Sequence, residues 1–119
     1  MRTILVIDDE PRITEAFQEL FRYEPDYAIT CANDGERALD LIREKQPDLI
    51  VLDWRLKGEV EGKEVLLYSK ATFPKTPVYI VTASIQALKE IESLGADACF
   101  LKPCEDLKDK IKRAFGKKE

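Results

Sequence analysis

Five short runs of apolar, mostly β-branched residues recur along the chain and are separated by more polar segments. Within each run the apolar positions are largely continuous rather than alternating, which is typical of strands buried on both faces of a parallel sheet. The distance between successive runs leaves room for one helix in each interval. The predicted strands cover residues 3–8, 27–31, 48–53, 77–82 and 98–102.

The intervening segments repeat their apolar residues with helical spacing. Such apolar faces are formed by Ile13, Phe17, Leu20 and Phe21, by Ala38, Leu41 and Ile42, and by Leu107, Ile111 and Phe115. Five strands alternating with five helices predict a doubly wound α/β fold with a parallel sheet. We expect a single domain over residues 1–119, with a core of about 2–115 and a frayed tail reading "GKKE".

Residues with strong positional preferences mark the ends of the predicted helices. Pro11 suits the first turn of a helix. Asn33 or Asp34 can cap the second helix, and Glu36 is placed to complete a capping box from Asn33. Gly95 is placed as a residue that ends a helix. These signals agree with the boundaries that the apolar pattern indicates.

Composition narrows the class of protein. The chain of 119 residues is 45% hydrophobic and 35% charged, which favours one soluble globular domain. Its apolar runs are shorter than the roughly 20 residues of a membrane span, and its first residues lack the cleavage site of a secretory signal, so we expect a cytoplasmic protein. The net charge of -4 argues against direct contact with nucleic acid.

The cysteine and histidine content excludes several kinds of site. Cys31, Cys99 and Cys104 form no C-x-x-C pair, so their spacing fits neither a disulfide framework nor a zinc site, and we expect reduced, mostly buried thiols. The chain has no histidine, which excludes Ser-His-Asp and Cys-His catalysis, histidine-ligated zinc and a phosphohistidine on this chain. Any chemistry must therefore use carboxylates, hydroxyls and lysines.

Polar residues that could carry chemistry stand at the ends of four predicted strands. Asp8 and Asp9 follow the first strand, and Asp53, Thr82 and Lys102 end the third, fourth and fifth. Each alone would be an ordinary strand-end residue, but the carboxyl ends of parallel strands meet at the edge where α/β sheets bind ligands. Two carboxylates about 4 Å apart repel by about 1 kcal/mol in bulk water and about 4 kcal/mol at an effective dielectric near 20. A cation between the acids would relieve this repulsion.

The segments "LVIDDEP", "DLIVLDWRL", "VTA" and "GADACFLKP" together resemble the receiver domain of two-component response regulators, in the right order over essentially the whole chain. The resemblance implies the flavodoxin-like fold with strand order 2-1-3-4-5. It also implies reversible, phosphorelay-type phosphorylation of the aspartate at the end of the third strand, with no enzymatic activity beyond self-phosphorylation and self-dephosphorylation.

The resemblance assigns a role to each strand-end residue. Asp53 matches the phosphoacceptor, and Asp8 and Asp9 match the acidic pair that holds a divalent metal, Mg²⁺ or Mn²⁺, together with Asp53. The main-chain carbonyl of residue 55, an arginine (Arg55), would complete the metal site. Thr82 matches the switch hydroxyl. Lys102 matches the lysine that contacts the phosphoryl group, and its peptide bond to the following proline is expected to be cis.

The implied partners are a sensor histidine kinase or phosphotransfer protein, which supplies the phosphoryl group, and a downstream protein. The downstream protein would bind the face formed by helix 4, strand 5 and helix 5, which changes its affinity when the hydroxyl at position 82 moves toward the phosphoryl group. No membrane is implied as a partner.

The sequence departs from the family pattern at four places. Cys99 occupies the position of the usual aromatic switch residue, and Phe100, one residue later, would face the opposite way. Lys57 replaces a proline after the phosphoacceptor, and Gly62 comes one residue later than usual, which indicates a looser loop. The interval of 20 residues from position 82 to position 102 is short, so helix 4 or the loop before it should be clipped. Cys104 stands where a phenylalanine often follows the Lys-Pro pair in the family.

Two other interpretations remain open, and a third shares only the fold. The departures at Cys99 and in the loop motivate a non-switching pseudo-receiver that acts as a protein-interaction module. An aspartyl-phosphate phosphatase of the haloacid-dehalogenase kind needs D-x-D after the first strand, which "IDDEP" lacks. A flavin-binding flavodoxin would share the fold, but its phosphate would meet acidic strand ends and no hydroxyl-rich loop.

Overall fold

A computed structural model of the chain describes residues 1–116. Strands and helices alternate along these residues, and each predicted strand is found within one or two residues of its expected bounds. Gly116, the first residue of the predicted tail, ends the last helix, while the rest of that tail lies outside the described residues. The elements are β1 (Arg2–Ile7), α1 (Pro11–Leu20), β2 (Tyr27–Ala32), α2 (Gly35–Lys45), β3 (Leu49–Asp53), α3 (Gly62–Thr72), β4 (Val78–Thr82), a 3₁₀ turn (Ile85–Ala87), α4 (Leu88–Ser93), β5 (Ala98–Leu101) and α5 (Leu107–Gly116).

All four neighbouring strand pairs are parallel, and the strand order is β2-β1-β3-β4-β5. This order confirms the flavodoxin-like prediction. Because β1 pairs with β3 in the centre of the sheet, with Ile7 opposite Leu52, the residues that follow these two strands emerge side by side. The strand order therefore brings the acidic segments together.

Alternate residues of the central strands point to opposite faces of the sheet and pack against different helices. Ile4 and Val6 join one apolar cluster with residues of α1 and α5, including Phe17 and Ile111. Leu5 and its same-face neighbours join a second cluster with α2, α3 and α4. The sheet is thus covered on both faces, which is why the apolar runs of its central strands are continuous.

The edge strands depart from the prediction that every run is buried on both faces. All residues of β3 are buried, but β2 and β5 are only partly buried along most of their length. In β4, buried and partly buried residues alternate. The reason is that helices cover the middle of the sheet more completely than its margins.

The helix-end predictions are largely confirmed, with one correction. Pro11 begins α1, and Gly95, with a φ of 97°, follows the last turn of α4. The side chain of Asp34 caps α2 by accepting a hydrogen bond of 2.7 Å from the main-chain amide of Arg37. Asn33 does not form the alternative capping box, because its side-chain amide is engaged beneath the acidic cluster.

The short interval between β4 and β5 predicted that helix 4 or the loop before it is clipped. In the structure α4 contains only six residues and is preceded by the 3₁₀ turn.

On α1, Phe17 is buried, whereas Ile13 and Leu20 of the same predicted face remain 41% and 51% exposed. Within the described part of the chain, none of the helices combines the length and apolar character that crossing a membrane would require.

Candidate functional site

Three carboxylates converge at the carboxyl edge of the sheet. Asp8 and Asp9 follow β1, and Asp53 is the last residue of the adjacent β3. One oxygen from each of the three can be chosen so that all lie within 4.8 Å of one another. The structure therefore brings together the acids that the sequence pattern singled out, close enough to share one ion.

The acids differ in burial, and this changes their ionisation. Asp8 is 4% exposed and Asp53 is 9% exposed, whereas Asp9 is more open to solvent. Burial raises the pKa of Asp8, the main-chain amide of Glu10 opposes this rise, and the neighbouring carboxylates add to it. Burial also raises the pKa of Asp53, although its contact with Lys102 opposes the rise. The protein thus holds these carboxyl groups where added positive charge would stabilise their ionised forms.

The ammonium group of Lys102 supplies part of that positive charge. Its Nζ lies 3.0 Å from Oδ1 of Asp53 and 3.9 Å from Oδ2 of Asp8. Burial tends to lower the pKa of Lys102, but the hydrogen bond and attraction to Asp53 outweigh it, so this pKa is raised. The main-chain amide of Lys102 donates to the carbonyl of Thr82, which holds the end of β5 against β4. The Lys102–Pro103 peptide is cis, as predicted.

The donor set fits a hard divalent cation. Carboxylate oxygens are the ligands that Mg²⁺ and Mn²⁺ prefer, and Mg²⁺ ordinarily retains several waters, so a few protein oxygens suffice. Asp9, Asp53 and Arg55 line an open cleft of about 590 Å³ that also contains Thr82 and Lys102. The main-chain amide of Arg55 donates to Asp53. The described residues therefore provide oxygen ligands and room for a hydrated ion or a phosphoryl group.

Thr82 is buried at the end of β4, with a 2% exposed side chain that borders the cleft. Its Oγ1 accepts a hydrogen bond of 3.1 Å from the main-chain amide of Ser84. On β5, Cys99 packs against the cluster that contains α4, whereas Phe100 lies on the other face with its ring 5.5 Å from that of Tyr79. Phe100 therefore does not take the place of the usual switch aromatic, as the alternation along the strand predicted.

Two residues that support the cluster were not recognised as such in the sequence. The side-chain amide of Asn33 donates to the main-chain carbonyl of Asp8 at 2.9 Å and to Oγ1 of Thr14 at 3.1 Å. Thr14 is itself buried and donates to the carbonyl of Pro11. The position of Asn33 directly after β2, at the same edge as the acids, was the available signal. Through these two bonds Asn33 ties the loop after β2 to the loop after β1, at Asp8, and to the first turns of α1, at Thr14.

A second, largely apolar cleft of about 530 Å³ adjoins the carboxylates. It lies between α1 and the segment that joins β5 to α5, and it reaches Asp53 and Lys102. Ile13 and Leu20, two exposed large apolar residues of α1, form part of its wall. Apolar surface is thus available to a partner immediately beside the acidic cluster.

Comparison with known protein families gives one match over most of the chain. The model of the family described as "Response regulator receiver domain" matches residues 4–113. The chain is 32% identical over 114 residues to sporulation initiation phosphotransferase F of Bacillus subtilis, covering 92% of this chain and 90% of that protein. It is 37% identical over 103 residues to the probable transcriptional regulatory protein TcrX of Mycobacterium tuberculosis, covering 85% of this chain but only 43% of TcrX.

Solved structures of response regulators superpose on this chain over nearly its whole length. A CheY-like response regulator receiver domain protein from Methanospirillum hungatei superposes with a TM-score of 0.89 at 26% identity, covering 98% of this chain and 95% of that one. Response regulator TrrA from Thermotoga maritima, solved in complex with Mg(2+)-BeF, superposes with a TM-score of 0.84 at 32% identity, covering 95% of this chain and 98% of that one.

Proposed function

The chain belongs to the response regulator receiver domain family, and we propose that it accepts a phosphoryl group on Asp53 and thereby changes which partners it binds. The observation that carries the proposal is the convergence of Asp8, Asp9 and Asp53 within 4.8 Å beside the ammonium of Lys102. Receiver domains interact with histidine kinases or phosphotransfer proteins, which we propose as the source of the phosphoryl group.

In the proposed reaction, a carboxylate oxygen of Asp53 attacks the phosphorus of a phosphohistidine on the partner. A P–O bond forms as the P–N bond breaks, and the departing imidazole takes up a proton from solvent. Asp8, Asp9, Asp53 and the main-chain carbonyl of Arg55 would hold Mg²⁺ or Mn²⁺, which supplies charge neutralisation between the carboxylate and the phosphoryl oxygens.

Lys102 and Thr82 act on the transferred group. The ammonium of Lys102, already 3.0 Å from Asp53, pairs with one phosphoryl oxygen, and the hydroxyl of Thr82 donates to another. The product is an acyl phosphate on Asp53, which is labile and therefore suited to a transient signal. The protein is thus a phosphoacceptor, with at most self-phosphorylation and self-dephosphorylation, rather than an enzyme that turns over a separate substrate.

We place the phosphodonor on the apolar cleft beside α1. The donor histidine must reach Asp53, and this cleft presents apolar surface at Ile13 and Leu20 while opening onto Asp53 and Lys102. An amphipathic helix that carries the histidine would bury those side chains and bring its imidazole to the carboxylate edge.

The downstream partner is proposed to bind the face formed by α4, β5 and α5. Phosphorylation adds a charge of about -1.5 to -2, and the response is a shift between two populations of this face. The proposal includes a cytoplasmic location and one receiver domain over residues 1–119, without direct nucleic-acid contact by this domain. The chain spans 43% of TcrX and 90% of the Bacillus phosphotransferase. Any output activity beyond that of the receiver domain is therefore proposed and not established.

One observation favours a second candidate, a receiver-like module that binds a partner without switching. The usual aromatic position holds Cys99, and Phe100 packs on the opposite face against Tyr79. The aromatic rotation that couples the site to the partner face in the family therefore has no counterpart at position 99.

The test is phosphorylation by acetyl phosphate with and without Mg²⁺, read by intact mass. The proposed function predicts one Mg²⁺-dependent phosphoryl group, absent in Asp53→Asn and retained in Asp26→Asn, a change at an exposed aspartate remote from the cluster. Absence of labelling in a folded, Mg²⁺-loaded protein would contradict the proposal and favour the non-switching module.

A further inference from the structure

The loop between β3 and α3 contacts the acidic cluster through its main chain. The amide nitrogen of Lys57 donates a hydrogen bond of 3.1 Å to Oδ2 of Asp9. Proline, which the family pattern usually places at this position, has no N–H to donate. The departure from the family pattern at position 57 therefore creates a bond to one of the three clustered carboxylates.

This bond is the main restraint on the Asp9 side chain within residues 1–116. Asp8 is held by the amide of Glu10 at 2.9 Å, and Asp53 by Lys102 at 3.0 Å. Asp9 is more exposed than either, and the Lys57 amide is the hydrogen-bond donor that the described residues offer to it. Without that bond, Asp9 would have more rotamers available than its two neighbours.

Packing further along the loop holds the segment that carries the amide against the start of α2. Val60 packs against the apolar cluster on the α2 side of the sheet, and its carbonyl oxygen would lie only 2.5 Å from a Cβ placed on Gly35. Gly58 makes the intervening turn with a φ of 102°, a conformation that favours glycine. Val60 therefore packs the loop against the start of α2, and the main-chain amide of Lys57 faces Asp9.

We propose that the main-chain amide of Lys57 positions Asp9 for metal binding. A carboxylate oxygen has two acceptor sites, so the amide can hold Oδ2 while Asp9 still offers oxygen to an ion. A side chain that is already ordered loses less conformational entropy when the ion binds. Position 57 thus acts through its backbone, and its charge is not required. This inference rests on the proposed metal site.

The test compares Lys57→Pro with Lys57→Ala by calorimetric titration with MgCl₂. Both substitutions remove the ammonium group, but only proline removes the N–H. We expect Lys57→Ala to bind Mg²⁺ about as tightly as the wild type. Lys57→Pro should bind about tenfold more weakly than Lys57→Ala, at the lower end of the effect of groups that orient a metal ligand.

A second background separates positioning from a general effect on the loop. In the presence of Asp9→Ala, the proline and alanine variants at position 57 should have equal residual affinities for Mg²⁺, because the amide no longer has its acceptor. If circular dichroism shows that Lys57→Pro does not fold, Val60→Ala tests the inference instead. Val60→Ala keeps the N–H of Lys57 but removes packing between the loop and the α2 side of the sheet, so it should weaken Mg²⁺ binding. Leu67→Ala, on an exposed part of α3, should not.

Equal affinities of Lys57→Pro and Lys57→Ala, or tighter binding by the proline variant, would overturn the inference while leaving the metal site intact. A difference in Mg²⁺ affinity between Lys57→Pro and Lys57→Ala that persists in the Asp9→Ala background would also overturn the inference. If Lys57→Pro does not fold, an unchanged Mg²⁺ affinity in Val60→Ala would overturn it. Absence of Mg²⁺ binding by the wild type is a different outcome, since it would overturn the metal site and with it the proposed function.

Discussion

The ammonium nitrogen of Lys102 lies 3.0 Å from Oδ1 of Asp53, so the proposed phosphoacceptor is paired with a cation within the protein. The same nitrogen is 3.9 Å from Oδ2 of Asp8. Lys102 therefore relieves part of the repulsion among the acids, and at the same time its charge opposes the approach of a second cation. Removing it should separate metal binding from phosphoryl transfer.

Lys102→Ala is expected to bind Mg²⁺ as tightly as the wild type or several-fold more tightly, because a positive charge close to the ion is removed. Phosphorylation by acetyl phosphate should become slower, since the phosphoryl oxygens lose their ammonium partner. Mg²⁺ titration and the rate of mass increase measure the two effects. Lys75→Ala, at an exposed lysine before β4, is the control. Markedly weaker Mg²⁺ binding in Lys102→Ala would contradict the reasoning.

Asp9→Ala should weaken Mg²⁺ binding by at least about tenfold, because one of the three clustered carboxylate charges is lost. Calorimetric titration with MgCl₂ gives the affinity. Glu10→Gln is the matched control, since it removes a neighbouring negative charge that is exposed and paired with Arg12 at 3.8 Å. An Asp9→Ala protein with wild-type affinity would remove Asp9 from the proposed metal site.

Leu20→Lys should impair phosphorylation by a protein donor and spare phosphorylation by acetyl phosphate. The substitution places a charge in the apolar cleft beside α1, where we propose that the donor docks, but leaves the carboxylates untouched. Initial rates with a phosphorylated kinase or phosphotransfer domain that is active on the wild type provide the measurement. Leu67→Lys makes the same change at an exposed leucine of α3 and should have little effect. Equal losses in the two variants would argue against docking at this cleft.

Gly62→Ala should destabilise the fold by about 1–3 kcal/mol, the usual cost of overpacking. A Cβ at this position would clash with the main-chain carbonyl oxygen of Trp54, so the start of α3 or the strand end beside Asp53 must shift. Urea unfolding at constant pH measures the change in the free energy of unfolding. Gly116→Ala, where an added Cβ would meet no atom within 4 Å among the described residues, serves as the control. A Gly62→Ala protein as stable as the wild type would show that the helix start is not tightly constrained.

Glu24 should stabilise the fold at neutral pH and lose this effect in acid. Its hydrogen bond with Lys112 at 2.8 Å, reinforced by Lys108 at 3.1 Å, lowers the pKa of Glu24 below its ordinary value of 4.5. A carboxyl group with a lowered pKa in the folded state stabilises that state above the unfolded-state pKa, and the stabilisation disappears as pH falls through the folded-state pKa. Glu24→Gln should therefore have a lower Tm than the wild type near pH 7, and the difference should vanish well below pH 4.5.

Thermal unfolding of Glu24→Gln over a pH series checks this, with Glu15→Gln at an exposed position of α1 as the control. Because Lys108 and Lys112 belong to α5 and Glu24 precedes β2, the ion pairs join distant parts of the chain. A difference in Tm that is independent of pH would show that the glutamate acts through packing rather than through charge.

The order of elements and the residue types at the carboxyl edge could be predicted from the amino-acid sequence alone. Runs such as residues 49–52 are apolar without interruption because a central strand must be buried on both faces. The carboxylates, the hydroxyl and the lysine stand out because each follows such a run. Their convergence could be anticipated since parallel strands all end at the same edge.

Which of these groups are restrained, and by which neighbours, depends on how the chain folds in three dimensions. Asn33 supports Asp8 instead of capping α2, and Leu20 borders a cleft instead of the core. The amide of Lys57 donates to Oδ2 of Asp9, and Val60 of the same loop packs against the apolar cluster on the α2 side of the sheet. A main-chain N–H is the same in every residue except proline, so its hydrogen-bond partner depends on the path of the backbone and leaves almost no trace in the pattern of side chains.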